Sequence, residues 1–117
     1  MGSTIIFDYT PEFLKSAKVL SKRYKSFADD LKSLCEEIVK NPNLGDDLGS
    51  NIRKIRMPIK SKGKGKRGGA RVISLSMVID EEKSKVTFLY VYDKSDIANV
   101  SDKKIKQIIL NNELPIE

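Results

Sequence analysis

The chain has no histidine, no tryptophan and one cysteine in 117 residues. A Ser–His or Cys–His nucleophile pair is therefore excluded, and a transition-metal site lacks its usual ligands, so no metal or other cofactor is expected. The lone Cys35 rules out an internal disulfide, which suits a reducing cytoplasm. Its setting, LKSLCEEI, places it on or near the apolar face of a helix, where a free thiol packs as a small hydrophobe. No apolar run approaches the roughly 18–20 residues of a membrane span, so no membrane partner is expected. The start, MGSTIIFDYT, lacks the charged and long apolar regions of a signal peptide. Gly2 matches a myristoylation start only loosely, and Ile5–Phe7 read as a strand instead. Aromatics make up only 7%, too few for a platform that stacks several bases.

Acid is missing from one long stretch. Between Asp47 and Asp80 there is none, while Arg53 to Arg71 holds nine cations: Arg53, Lys54, Arg56, Lys60, Lys62, Lys64, Lys66, Arg67 and Arg71. The other 13 cations face all 16 acids, so the rest of the chain sums to −3 although the whole carries +6. The basicity belongs to one segment, the electrostatic footprint of a phosphate-rich partner. Its centre, KGKGKRGGAR (62–71), has five cations and four glycines in ten positions. The glycines predict a loop whose backbone can approach phosphates closely and which is poorly ordered until an anion holds it.

The length suits one domain, 1–117, with residues from about 111 as a tail. Ile5–Tyr9 read as a strand. Thr10 then caps a helix that has Pro11 at its first position and Phe13, Leu14, Ala17, Leu20 and Tyr24 at helical spacing. Ser26 caps a second helix with an apolar stripe of Phe27, Leu31, Leu34, Cys35 and Ile38. NPNLGDDLGSN reads as a loop. IRKIRMPIK puts Ile55, Met57 and Ile59 on one parity and Lys54 and Arg56 on the other, a half-buried strand closed by Pro58. ARVISLSMVID and KVTFLYVYD supply two more strands, the latter apolar enough to be buried on both faces. Ser101 caps a last helix bearing Ile105, Ile108 and Ile109. The order β-α-α-β-β-β-α predicts an α+β domain with an antiparallel sheet of about four strands. Tyr90 reads as core, and Asp93 and Asp96 as residues that cap or orient the corner after the last strand. Arg71 shares the parity of Ile73 and Leu75, so a cation there calls for a reason.

IRKIRMPIKSKGKGKRGGARVI, followed by YVYDKSD and NVSDKKIKQII, resembles the RelE/ParE superfamily of toxin–antitoxin toxins, and its HigB-like branch most closely. KNPNLGDDLGSNIRKIR fits that branch too, and the resemblance runs from about Ile5 to Ile109. It implies a RelE-like fold and a metal-independent endoribonuclease that cuts messenger RNA on the ribosome. It also implies a neighbouring antitoxin, a helix-turn-helix DNA-binding protein. By position it carries over Arg53, Lys54 and Arg56 on the first basic strand, Lys62, Lys64, Lys66 and Arg67 in the loop, Arg71 beyond it, and Tyr92 and Lys94 at the corner; Lys60, from the same basic run, is a further phosphate-binding candidate. Lys94 stands where an Arg is usual in the better-known RelE pattern. Another branch of the same superfamily inhibits gyrase, so the alternative reading is an inhibitor of the ParE kind, or a basic nucleic-acid-binding module without catalysis.

RNA is cut when its 2′-hydroxyl attacks the adjacent phosphate, and lysine and arginine suffice for the protein's part. Arginine is always charged and bidentate toward phosphate oxygens. A lysine becomes a base when neighbouring cations lower its pKa. The expected roles are Arg71 on the scissile phosphate, Arg56 or Lys54 beside it, Lys66 or Lys94 in proton transfer, and Tyr92 stacking on a base or bonding near the leaving oxygen.

Overall fold

A computed structural model of the chain describes residues 4–63 and 68–115. Lys64, Lys66 and Arg67, together with the mobility expected of their loop, lie outside the described residues.

Five strands form one sheet: β1 Thr4–Tyr9, β2 Asp46–Gly49, β3 Ile52–Met57, β4 Ala70–Val78 and β5 Lys83–Asp93, in spatial order β1-β5-β4-β3-β2. The helices are α1 Pro11–Arg23, α2 Phe27–Lys40 and α3 Asp102–Asn111, with a short 3₁₀ turn at Lys60–Lys62. The α+β order is as the sequence predicts, with two differences. First, the sheet is mixed, because β1 runs parallel to β5 while the other pairs are antiparallel. Its partner is the last strand in sequence, so the chain between them passes through two helices and three strands, and no hairpin sets its direction.

Second, the stretch that reads as a loop holds β2. Asp46 and Asp47 lie opposite Lys54 and Arg53, so unlike charges face each other across the pair. Ser50 and Asn51 both take positive φ (53° and 65°), which a two-residue hairpin turn of this hand requires.

Helix starts follow local chemistry. Thr10 Oγ1 accepts from Phe13 N at 3.0 Å and donates to Leu89 O at 2.8 Å, capping α1 and tying it to β5. Ser101 caps α3 by accepting from Lys104 N at 3.1 Å. Ser26 sits at the N-cap of α2, but its hydroxyl contacts Asp30 and Ser61 instead of the helix backbone.

The sheet is covered on both faces. Phe13, Leu20, Phe27, Leu34 and Ile38 from α1 and α2 pack on Ile55, Met57, Val72, Phe88 and Val91. On the other face Val100 and the α3 stripe Ile105, Ile108 and Ile109 pack on Ile52, Ile73, Leu75, Leu89 and Tyr92. Cys35 packs half-buried at the rim of the first cluster.

A register shift between β4 and β5 decides which side chains of β5 reach the α3 face. Ile73 pairs with Tyr90, but Ser74 pairs with Phe88, leaving Leu89 as an extra residue in β5. The bulge reverses the parity of the strand. Phe88 therefore packs under α1, while Tyr90 and Tyr92 turn to the α3 face.

Candidate nucleic-acid interface

On the α3 face two rows of residues cross three strands. Arg56 pairs with Arg71, and Arg71 pairs with Tyr92. One row along, Lys54 pairs with Ile73, and Ile73 with Tyr90. The even parity of β3, the odd parity of β4 and the bulge of β5 bring these side chains to one face.

Arg71 is 4% exposed, and its Nη1 donates to Ala70 O at 3.2 Å. Burial and the neighbouring Arg56 pull its pKa below the usual arginine value, against the upward pull of Tyr92 and Asp46. Like charges directly opposite across a strand pair oppose folding. Arg56 is exposed, so the pair presents an open cationic edge backed by a buried guanidinium. That is a geometry suited to an anion lying across both strands.

Tyr92 is buried beneath the segment leading to α3, and its hydroxyl donates to Asn99 Oδ1 at 3.3 Å. Lys54 Nζ donates to the same oxygen at 3.4 Å. Burial pushes the Tyr92 phenol up, against the pull of the Val100 backbone and the Arg71 charge. The phenol therefore stays protonated at neutral pH and acts as a hydrogen-bond donor. Tyr90 is half-buried, with Lys104 Nζ 4.4 Å from its ring centroid and 3.4 Å from its hydroxyl.

The candidates that the sequence groups together are divided by the fold. Lys54, Arg56, Arg71 and Tyr92 converge. Arg53 faces away: it pairs with Ser74 on the α1–α2 side, and its Nη1 donates to Asn43 O at 2.9 Å, bracing the turn before β2. Lys62 is held by Asp93 at 2.6 Å, so its charge is neutralised on that same side. Lys60 is exposed, its backbone N–H donating to Asp30 at 3.2 Å. Lys94 is exposed in the turn after β5, and its backbone N–H donates to Gly69 O at 3.2 Å. No described ion pair joins Asp93 or Asp96 to Lys94; both meet Arg23 instead, at 3.2 and 2.7 Å.

Asn99, Tyr90 and Lys104 belong to this face, although the sequence does not mark them as candidates. Tyr90 has a signal, the i, i+2 spacing to Tyr92, which the apolar neighbours in the strand obscure. Asn99 and Lys104 have none, because their places depend on how the segment after β5 returns over the sheet.

Residues 14–111 match a family described as the RelE toxin of RelE/RelB toxin–antitoxin systems. Among solved structures, the chain is similar to an arginine-to-alanine double mutant of the E. coli toxin RelE in its free state. The identity is 18%, the match covers 97% of this chain and 100% of that one, and the TM-score is 0.56. At that identity the likeness concerns the fold.

Proposed function

The chain belongs to the RelE family of toxins from RelE/RelB toxin–antitoxin systems, and on that premise we propose that it is an endoribonuclease. It inhibits translation by cutting messenger RNA on the ribosome, and a cognate antitoxin neutralises it. The observation that carries this reading is the Arg56–Arg71–Tyr92 row, two guanidinium groups and a protonated phenol aligned across three strands.

In this reading Arg71 and Arg56 grip the non-bridging oxygens of the scissile phosphate and stabilise the added charge as the 2′-oxygen attacks. Stabilisation of that kind is usually the largest single contribution to catalysis. Arg71 is buried, so its geometry is set before substrate arrives, whereas Arg56 is free to follow the strand of RNA. Tyr92 turns its one O–H from Asn99 toward the departing 5′-oxygen when RNA is bound. Lys54 lies next to Tyr92 through Asn99 and adds charge on the β3 side. Lys94, exposed at the corner, and Lys66 are the lysines proposed for proton transfer. Lys64 and Arg67 are proposed to hold the flanking phosphates. The turn NPNLG before β2 supports placement near the HigB-like branch.

The test is cleavage of a translated message by purified Arg71→Ala, with its fold checked by circular dichroism. The expected loss is about 10²–10³-fold in rate, the size seen when one oxyanion donor is removed. Wild-type cleavage with no effect at Arg71 sinks the assignment. Absence of RNA cleavage with inhibition of DNA supercoiling points to the gyrase-inhibitor alternative.

A further inference from the structure

Among the described residues the chain buries two acids that the proposed chemistry leaves unused, Asp30 and Asp93. The Asp93 side chain has no solvent exposure, yet donors crowd it. Its Oδ1 accepts from Lys62 Nζ at 2.6 Å, Ser95 Oγ at 2.6 Å and Ser95 N at 2.9 Å. Its Oδ2 accepts from Tyr24 OH at 2.6 Å and Arg23 Nη1 at 3.2 Å. Lys62 is itself only 12% exposed along its side chain, and its ammonium also donates to Ser95 Oγ at 2.8 Å.

These contacts meet at the turn Lys60–Lys62, just before the glycine- and lysine-rich stretch. Lys62 ends the 3₁₀ turn that opens the loop, and Asp30 grips the same turn through Lys60 N at 3.2 Å. Ser26 adds a third hold, its Oγ accepting from Ser61 N at 2.9 Å. The loop's other end is fixed at the same corner. Lys94 N donates to Gly69 O at 3.2 Å, and Ala70 pairs with Asp93. Residues 93–95 thus hold both roots of the loop. The residue before them is Tyr92, and the residue after Ala70 is Arg71.

A buried ion pair is a weak device for stability, since well-packed apolar residues commonly do as well. What it supplies is a fixed geometry between two segments. We infer that Asp93 is a positioning residue: through Lys62, and through the corner that holds Gly69 and Ala70, it fixes the turn Lys60–Lys62 and the start of β4 against each other, and so keeps Arg71 and Tyr92 in register with Arg56 for RNA. The effect on rate rests on the nuclease reading; the latch itself does not.

Asp93→Asn keeps the shape of the side chain and weakens its hold on the ammonium. Lys62→Met keeps the packing of the stem and removes the charge. Tyr24→Phe takes one hydrogen bond from the other carboxylate oxygen and leaves Lys62 in place. Two measurements are made: kcat and KM for cleavage of messenger RNA on purified ribosomes, and hydrogen exchange of the Lys62 and Gly63 amides.

Asp93→Asn and Lys62→Met should each lower kcat about tenfold or more, as misplacement of binding groups does, with KM changed far less. The double variant should be no slower than the slower single one, because either change alone releases the latch. Exchange at the two amides should quicken in both variants, and Tyr24→Phe should leave kcat and exchange near wild type. Folded variants that cleave at the wild-type kcat, or losses that multiply in the double variant, overturn the inference. If Asp93→Asn does not fold, Lys62→Met decides it alone. If the wild type cuts no RNA, the nuclease reading fails and exchange decides the latch: faster exchange upholds it and unchanged exchange overturns it.

Discussion

Tyr92 shows how one side chain serves both packing and chemistry. Its ring is buried in the cluster under α3, and its hydroxyl reaches Asn99 beside Lys54. Tyr92→Phe keeps the ring and removes the donor. Cleavage should fall about 10²-fold or more while the melting temperature moves little, measured on the same preparation. Asp93 offers a prediction in pH. Burial alone raises its pKa, but hydrogen bonds from Lys62, Ser95 and Tyr24 win and hold it well below the usual carboxylate range. Its contribution to stability is therefore full above the unfolded value of about 3.9 and is lost as pH falls toward the folded value. Asp93→Asn should lower stability by about 1.5–3 kcal/mol at neutral pH, the worth of a hydrogen bond to a charged group. The gap to wild type should narrow below about pH 4. Thermal denaturation from pH 7 to pH 3 checks this, and a constant gap rejects it.

Among the elements, β5 decides most. Its bulge at Leu89 carries Tyr90 and Tyr92 to the α3 face, and Thr10 at the start of α1 bonds to that same Leu89 carbonyl. Thr10→Val keeps the volume but removes both the cap and the tie. It should destabilise by about 1–2 kcal/mol or slightly more in denaturant titration, the upper part of the range for a lost cap. The approach of β4 to β3 makes a second prediction. A Cβ on Gly69 would stand 2.3 Å from Met57 O, against backbone that cannot yield cheaply. Gly69→Ala should lower stability by about 1–3 kcal/mol and slow cleavage as well, since Arg71 lies two residues on. An alanine variant with wild-type stability and rate contradicts the tight fit.

At the scale of the molecule, charge is partitioned by the fold as well as by the sequence. Arg53 and Lys62 are turned toward the α1–α2 side, and Asp46 and Asp47 lie across from Lys54 and Arg53. Among the described residues, the cationic face that remains is narrower than the run of cations suggests. RNA affinity should fall with salt as counterions are released. Roughly four phosphate contacts on single-stranded RNA give a drop of about fiftyfold between 50 and 200 mM salt. Filter binding with a catalytically weakened variant measures it. A flat response removes phosphate contact as the main source of binding.

Local pattern determined the elements: Thr10 and Ser101 as caps, the helical stripes, the alternation in β3 and the apolar run of β5 are all properties of neighbouring residues. The excess of positive charge between Arg53 and Arg71, and the parity that sends Lys54 and Arg56 one way and Ile55 and Met57 the other, were legible for the same reason. β2 was hidden because its two acids and its glycine have low strand propensity, and it forms by pairing with the cations of β3. Only the tertiary structure decided that β1 runs parallel to β5 and that Arg56, Arg71 and Tyr92 share a row. It alone placed Asn99 beside Lys54 and spent Lys62 on Asp93. Each of these contacts joins residues from different elements, and one bulge is enough to exchange the faces of a strand. No periodicity read along the chain encodes them.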